Sequence, residues 1–329
     1  MSEKISVNYR GVLPDEMTDQ QINAASDFLD TLSPDGLDVW AAERTKSLNY
    51  NGQDYRMVVD RPEDFDPNKV VVVLSEFGTG IIPRLTAKAR LMRDAVDPKA
   101  TLVIQPSSTI GQPNMNYSPE ERERLSYGDS SPIIGRLALT MAGIDNPQDM
   151  IIFGPSQGAT FALDYAASDL APDSVKTVIV ETPNIIKRST WQLALDFMSA
   201  GKDLPDVVGA NFNNPETPFA VLAKRNTRIF PDLTKFILSS LHPDNLASIR
   251  AMRYDSAAAN IETILNKGGT VIQAWGDVDK VSPNEANQLI ADRFADSPNY
   301  VAFLLKNLSH AATDLYVLDA ALMRVAANI

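Results

Sequence analysis

The chain contains no cysteine among its 329 residues and only two histidines, His242 and His310. The absence of cysteine excludes disulfides, thiol nucleophiles and thiolate metal ligands. The scarcity of histidine leaves two candidates for any reaction that needs an imidazole as proton acceptor. The sequence also lacks a phosphate-binding loop and a zinc-type cluster of histidine and glutamate. It therefore predicts neither a metal nor an organic cofactor.

Positive charge is also scarce, with 30 Lys and Arg against 42 Asp and Glu and a formal net charge of −12. An acidic surface repels nucleic acid and anionic membranes, so neither is an expected partner. No run of 18 apolar residues is present, and residues 1–14 lack the basic and then apolar pattern of a secretory signal. We therefore expect a cytoplasmic protein that acts on a small molecule. The sequence leaves its oligomeric state open.

Six short, nearly continuous apolar runs predict strands buried on both faces, as in a parallel sheet. They are Val70–Leu74, Thr101–Ile104, Met150–Phe153, Thr177–Val180, Thr270–Ala274 and Val301–Leu305. Helical spacings of apolar residues separate most of these runs, as at 85–96, 134–141 and 315–329. A hairpin precedes them, because Asn51-Gly52 tolerates the positive φ of a two-residue turn. Alternating strands and helices behind a hairpin predict a three-layer α/β domain.

Two segments do not fit this alternation. Residues 1–46 read as an acidic N-terminal extension with a helix over Asp15–Leu32. Between Pro183 and about Asn266 there is no clear strand, only helical patches at 191–198, 219–225, 233–241 and 246–252. A loop of about eighty residues is too long for a compact domain. We therefore predict a helical insertion over 185–266, lying over one end of the sheet between the two parts of the core, 47–184 and 267–329.

The stretch GPSQG, from Gly154 to Gly158, falls between a predicted strand and a helix rich in small residues. Glycines two residues before and after a serine permit a tight turn that exposes the hydroxyl at a helix N-terminus. The partial positive charge of the helix end favours a developing anion there. Ser156 is therefore the candidate nucleophile. A glycine-rich turn with an incidental serine could contain the same five residues. The assignment of Ser156 as nucleophile therefore depends on whether the chain also supplies a base, an acid and an oxyanion hole.

The partners that a nucleophilic serine needs follow Ser156 along the chain. His310 lies just past the last apolar run, where it can reach over the sheet edge as general base. His242 precedes a proline within the predicted insertion and is the competing candidate. Asp277 and Asp279 directly follow the run at 270–274, and either could orient the imidazole. The order Ser, Asp, His is that of the α/β-hydrolases and differs from those of chymotrypsin and subtilisin.

An oxyanion hole requires two backbone N–H donors. One candidate is the N–H of Gln157, the residue after the nucleophile. The second is expected from the loop LSEFGTGIIP at 74–83, in which Gly78 and Gly80 let the main chain approach a ligand, and Phe77 is the expected donor. A dinucleotide motif does not fit this loop, because Pro83 stands at its third glycine position.

From about Ser47 to Ile329 these features resemble the α/β-hydrolase superfamily: the hairpin, GPSQG, the long insertion, WGDVDKVSP and NLSH. The resemblance implies an eight-stranded, mostly parallel sheet with the active site at the carboxyl ends of the strands. It also implies a helical cap between the sixth and seventh strands. In many members the acid loop reads Gly-x-x-Asp with a later Pro. Matched to Gly276, Asp279 and Pro283, that pattern implies Asp279 rather than Asp277 as the acid.

The hypothesis that follows is a serine hydrolase of a small carboxylic ester, which uses a triad of Ser156, His310 and Asp279. The same triad could cleave an amide, a thioester or a carbon–carbon bond, or transfer an acyl group to an acceptor other than water. A homologue that binds a ligand without catalysis is the alternative from a different class of protein.

Overall fold

The computed structural model describes residues 34–74, 83–106, 117–181, 183, 243–251, 254–277, 279, 281–305 and 316–328. The strands are β1 (Thr45–Tyr50), β2 (Gln53–Asp60), β3 (Asp66–Leu74), β4 (Ala100–Gln105), β5 (Asp149–Pro155), β6 (Val175–Glu181), β7 (Thr270–Gly276) and β8 (Tyr300–Leu305). The helices are α1 (Pro34–Arg44), α2 (Pro83–Val96), α3 (Pro119–Tyr127), α4 (Ser131–Ala142), α5 (Gln157–Ala167), α6 (Pro243–Ala251), α7 (Tyr254–Asn266), α8 (Asn284–Phe294) and α9 (Tyr316–Ala327). In these ranges, no helix has the length and apolar character needed to cross a membrane.

The strands form one sheet in the order β1-β2-β4-β3-β5-β6-β7-β8. The pairs β1/β2 and β2/β4 are antiparallel, and every later pair is parallel. All six predicted apolar runs lie within strands, so the predicted eight-stranded, mostly parallel sheet is confirmed. The hairpin is confirmed as well: Asn51 has a φ of 51° and Gly52 a φ of 81°.

The parallel strands are apolar at successive positions because the sheet has a hydrophobic core on each face. In β3, Val70, Val72 and Leu74 contribute to one core, and Val71 and Val73 contribute to the other. Alternate side chains of a strand point to opposite faces, so a strand covered on both sides shows no polar alternation. This explains why runs such as VVVVL predict the central strands.

Helices cover both faces and complete the three predicted layers. On the first face, buried side chains of α4, α5, α7 and α8 pack against the sheet. On the second face, α1, α2 and α9 supply the covering side chains. The helices that follow β3 and β5, α2 and α5, therefore lie on opposite faces. The chain turns from β3 to one side of the sheet and later passes to the other side at β5. In open α/β sheets, the crevice at such a reversal is where ligands bind.

The last part of the predicted N-terminal extension packs on the core. Trp40 of α1 and Met92 of α2 are both buried in the second core. Arg44 donates to the Asp60 carboxylate at 3.0 Å and stacks 4.7 Å from the centre of the Trp40 ring. Strand β1 begins at Thr45, two residues before the predicted boundary at 46/47. The helix predicted over 15–32 lies outside the described residues.

The predicted insertion over 185–266 occupies the connection between β6 and β7. Residues 184–242, with three of the predicted helical patches, lie outside the described residues. The rest forms α6 and α7, and both pack on the core. Asp244 of α6 accepts hydrogen bonds from the Arg122 side chain and from the Tyr117 N–H, which ties α6 to α3. In α7, Ile261 and Ile264 are buried in the first core. The described helices of the predicted insertion, α6 and α7, thus pack on the core.

One carboxyl group in the helical layer titrates near neutral pH. Asp164 of α5 accepts a hydrogen bond from Asn260 of α7 at 2.6 Å. Burial raises the pKa of Asp164 to about 7, although the hydrogen bond from Asn260 opposes the rise. Because the pKa is higher in the folded state, Asp164 favours folding when it is protonated. That contribution is present below about pH 4 and is lost as the pH rises to about 7.

We predict that Asp164→Asn removes the loss of folding stability that Asp164 causes as the pH rises. The free energy of unfolding of the variant minus that of wild type should be larger at pH 8 than at pH 5. The difference should grow by up to about 1.4 kcal/mol for each pH unit between pH 5 and about 7. Urea unfolding at several pH values measures it. Asp145→Asn, at an exposed position, is the matched control. A difference between Asp164→Asn and wild type that is flat across pH would contradict the prediction.

Candidate active site

Ser156 occupies the single position between β5 and α5. Its φ is 49° and its ψ is −114°, and it is only 3% exposed. Among the described residues, Asn51 is the other non-glycine residue with a positive φ. Such a conformation costs on the order of 1–3 kcal/mol in a residue with a Cβ, and persists when the surrounding structure enforces it. The strain of Ser156 is therefore built into the turn.

The first glycine of GPSQG, Gly154, is required by the geometry of the turn. A Cβ added to Gly154 would lie 2.1 Å from the carbonyl oxygen of Gly158 and 2.7 Å from the nitrogen of Ala159. The end of β5 and the first turn of α5 are thus too close for a side chain at Gly154. The turn is also fixed from the neighbouring strand, because the Ser156 N–H donates to the Glu181 carbonyl at 2.8 Å. These contacts account for the strand–serine–helix geometry predicted from the sequence.

Gln157 begins α5 and is 1% exposed. Its N–H belongs to the first turn, where amide groups have no acceptor within the helix. The Ala159 N–H donates to the Ser156 carbonyl at 3.1 Å, so the serine immediately precedes the helix and accepts a hydrogen bond from its first turn. A negatively charged oxygen near Ser156 would therefore meet the N-terminal end of a helix, where partial positive charge is concentrated.

The two candidate acids differ in their surroundings. Asp279 is 5% exposed, and its Oδ1 accepts hydrogen bonds from the N–H groups of Val281 and Ser282, both at 2.8 Å. Asp277 is partly exposed, and its own N–H extends the pairing with β8 by donating to the Leu305 carbonyl at 3.1 Å. The loop therefore buries and orients the carboxylate of Asp279, whereas the main chain of Asp277 continues the sheet.

Ser156 and Asp279 lie at the same edge of the sheet. Strands β5, β6 and β7 are adjacent and parallel, so the segments that follow them meet at their carboxyl ends. Two strand spacings amount to about 10 Å, which an intervening imidazole can span. His310 follows β8 in the sequence but lies outside the described residues, as do His242 and Phe77. The structure thus places Ser156, Gln157 and Asp279 at one edge of the sheet, and it does not describe His310, His242 or Phe77.

Several buried polar residues around this edge were not predicted. Glu181, 1% exposed, ends β6 in register with Pro155 on one side and Ala274 on the other. Gln273 in β7 and Asn287 in α8 are joined by a hydrogen bond of 2.9 Å beneath the acid loop. A signal was present in the sequence, since Gln273 interrupts the otherwise apolar run TVIQA. A glutamine in a strand buried on both faces requires buried polar partners.

Comparisons with known proteins show the fold. The structure is similar to an α/β hydrolase enzyme from a Medee basin deep-sea metagenome library, at 16% identity and a TM-score of 0.56 over 86% of this chain and 98% of that one. It is similar to a carboxylesterase of the Thaumarchaeon Nitrososphaera gargenis, at 14% identity and a TM-score of 0.54 over 82% and 93%. A third similar structure is the proline iminopeptidase of Mycobacterium smegmatis, at 12% identity and a TM-score of 0.52 over 86% of this chain and 99% of that one. No family model and no curated protein matches the sequence.

We predict that Gly154→Ala destabilises the protein by about 1–3 kcal/mol or more, because its Cβ would overlap the main chain of α5. Chemical unfolding of the variant and of wild type measures this loss. Gly52→Ala is the control, since Gly52 has a φ of 81° but nothing within 4 Å of an added Cβ. The control should show the smaller cost of about 1 kcal/mol for backbone strain alone. Equal losses in the two variants would argue against a close approach at Gly154.

Proposed function

We propose that this chain, whose fold is that of the α/β-hydrolases, is a serine hydrolase that cleaves a small carboxylic ester through an acyl-enzyme. The observation that carries the proposal is the backbone of Ser156, held at positive φ between a central strand and the first turn of a helix. A strained, buried serine in this position has a cost that packing alone would not require. The cost is explained if the hydroxyl reacts.

In the proposed mechanism, Ser156 Oγ attacks the ester carbonyl while His310 accepts the hydroxyl proton. The protonated imidazole then donates that proton to the leaving alcohol, which departs and leaves an acyl group on Ser156. Water, activated by His310 in the same way, attacks the acyl group and releases the acid. Asp279 orients the imidazole and stabilises its protonated form. The N–H groups of Gln157 and Phe77 stabilise the oxyanion, each contributing about 10²- to 10³-fold to the rate.

The choice of Asp279 as the acid rests on its surroundings. Two N–H groups fix the position of Oδ1, which restricts the rotation of the carboxylate. An acid that orients an imidazole must itself be held in one orientation, because a carboxylate that rotates freely cannot hold the histidine ring in place. Asp277 is the less favourable candidate, since its main chain continues the pairing with β8 and its side chain is partly exposed.

The fold does not select the substrate. Proteins of similar structure include both a carboxylesterase and a proline iminopeptidase. We favour a carboxylic ester of a neutral or weakly polar small molecule, because the net charge of −12 disfavours a polyanionic substrate. Rates on nitrophenyl esters of increasing chain length, compared with the matching anilides and thioesters, test this choice. Faster cleavage of the anilides or thioesters would replace the ester with that class.

We predict that a serine-reactive phosphonate labels the protein once, at Ser156, because the proposed base and oxyanion donors activate this hydroxyl. Mass spectrometry of the digested adduct locates the label. Ser156→Ala should remove both the label and the esterase activity. Label at another residue, or no label on the folded protein, would contradict the mechanism. Tight binding of the phosphonate without a covalent adduct would instead favour a protein that binds a ligand without catalysis.

The two histidines provide an internal comparison. His310→Ala should lower kcat by about 10⁴-fold or more, because the general base is lost. His242→Ala should leave kcat near the wild-type value, since His242 has no role in the proposed mechanism. Ester hydrolysis by both variants at the same pH measures the difference. The reverse pattern, in which His242→Ala abolishes activity, would identify His242 as the base.

A further inference from the structure

A chain of buried hydrogen bonds runs beneath the acid loop. The Tyr300 hydroxyl donates to Gln273 Oε1 at 2.5 Å, and Gln273 Nε2 donates to Asn287 Oδ1 at 2.9 Å. Asn287 Nδ2 donates to Ser282 Oγ at 2.8 Å, and the Ser282 hydroxyl donates to the Pro183 carbonyl. We call this set the amide relay. It connects the start of β8, the middle of β7 and the first turns of α8 to the acid loop and to the segment after β6.

Each group in the amide relay has a defined direction. Burial raises the pKa of the Tyr300 hydroxyl far above its usual range, so this group remains a donor at any neutral pH. Gln273 must then accept through Oε1 and donate through Nε2, and Asn287 must accept through Oδ1 and donate through Nδ2. Asn287 and Ser282 are 0% exposed. A buried amide without these partners would lower the stability of the fold. The donors and acceptors of the amide relay can therefore be satisfied in only one orientation of the two amide groups.

The amide relay reaches Asp279 through Ser282. The Ser282 side chain accepts from Asn287, and the Ser282 main-chain N–H donates to Asp279 Oδ1 at 2.8 Å. Asn287 Nδ2 also lies 3.1 Å from the Pro283 carbonyl oxygen and 3.3 Å from that of Ser282. One amide group on a helix therefore contacts three oxygens of the acid loop. A displacement of Asn287 would move the N–H group that fixes the Asp279 carboxylate.

We propose that Asn287 and Ser282 are positioning residues, which fix the Asp279 carboxylate and join the acid loop to the root of the predicted insertion at Pro183. This inference rests on the proposed function, in which Asp279 is the acid of the triad. Both residues are 0% exposed, so we expect neither to touch the substrate. Their effect passes through the orientation of Asp279 to the imidazole, so it should appear in kcat and in the pH dependence rather than in KM.

The test compares two asparagines of the same helix. Asn287→Ala removes the amide that contacts the acid loop. Asn284→Ala, three residues earlier, removes an amide whose Oδ1 accepts from Trp275 Nε1 at 2.8 Å. Both variants lose a side chain of the same size and at least one hydrogen bond. Of these two asparagines, only Asn287 belongs to the amide relay. Asn284→Ala therefore controls for the loss of helix and core stability.

For Asn287→Ala we expect a kcat on a nitrophenyl ester about 10- to 100-fold lower, which is less than the roughly 10⁴-fold loss when a triad acid is replaced. KM should change little. The acid limb of the kcat/KM profile should move to lower pH, because a misplaced Asp279 stabilises the imidazolium less. In Asn284→Ala the acid limb should stay at the wild-type pH.

Amide hydrogen exchange gives a second readout that does not need catalysis. The N–H groups of Val281 and Ser282, which donate to Asp279, should exchange faster in Asn287→Ala and at the wild-type rate in Asn284→Ala. The double variant Asn287→Ala/Ser282→Ala should lower kcat by less than the product of the two single effects, because both remove the same hydrogen bond.

The outcomes separate the two proposals. If Asn287→Ala lowers thermal stability but leaves the acid limb and both exchange rates at wild-type values, the positioning role is wrong. If Asn287→Ala does not fold, Ser282→Ala, which removes a single oxygen, is measured in the same way and decides. If the phosphonate does not label wild-type Ser156, the proposed hydrolase mechanism fails. Exchange at Val281 and Ser282 then still decides whether Asn287 fixes the Asp279 loop.

Discussion

The contact between the end of β5 and the first turn of α5 is the constraint on which the candidate site depends. It leaves no space for a side chain at Gly154, and the chain passes from strand to helix at Ser156 with a positive φ. The neighbouring strand reinforces the turn, because the Glu181 carbonyl accepts from the Ser156 N–H. The serine therefore stands at the start of a helix whose first amide groups point toward the same space. A looser turn would remove both the strain and the alignment.

The sheet extends this local geometry into a site. Because β3, β5, β6, β7 and β8 are parallel, the segments that carry the candidate groups leave the sheet at one edge. The direction of the chain along the sheet reverses between β3 and β5, and α2 and α5 cover opposite faces, which is the arrangement at which open α/β sheets bind ligands. Two strands away, backbone N–H groups fix the Asp279 carboxylate, and buried amide groups support that loop from below. The apolar cores thus provide rigidity, and the few buried polar groups provide orientation.

The strands were predictable because burial on both faces leaves a signal in consecutive residues. Runs such as VVVVL and MIIF lie in β3 and β5, and the Asn51-Gly52 turn followed from backbone conformation alone. Helix α1 was not predicted, since it is held by the ion pair of Arg44 with Asp60 and by burial of Trp40 in the second core, and both involve residues distant in sequence. Helices α3, α7 and α8 were also not predicted. Their burial likewise depends on neighbouring elements that are distant in sequence. The domain boundaries, the histidine base and the Phe77 donor remain predictions.

By itself the sequence determined the α/β alternation, the hairpin and the strand–serine–helix turn, because each follows from local periodicity or from the conformational freedom of glycine. It also restricted the possible bases to two histidines and the acids of one loop to Asp277 and Asp279. Only the tertiary structure distinguished the surroundings of those two carboxylates and joined Gln273, Asn287 and Ser282 into one buried network. The physical reason is that hydrogen bonds between side chains from different strands and helices depend on packing in three dimensions. No spacing along the chain encodes that packing.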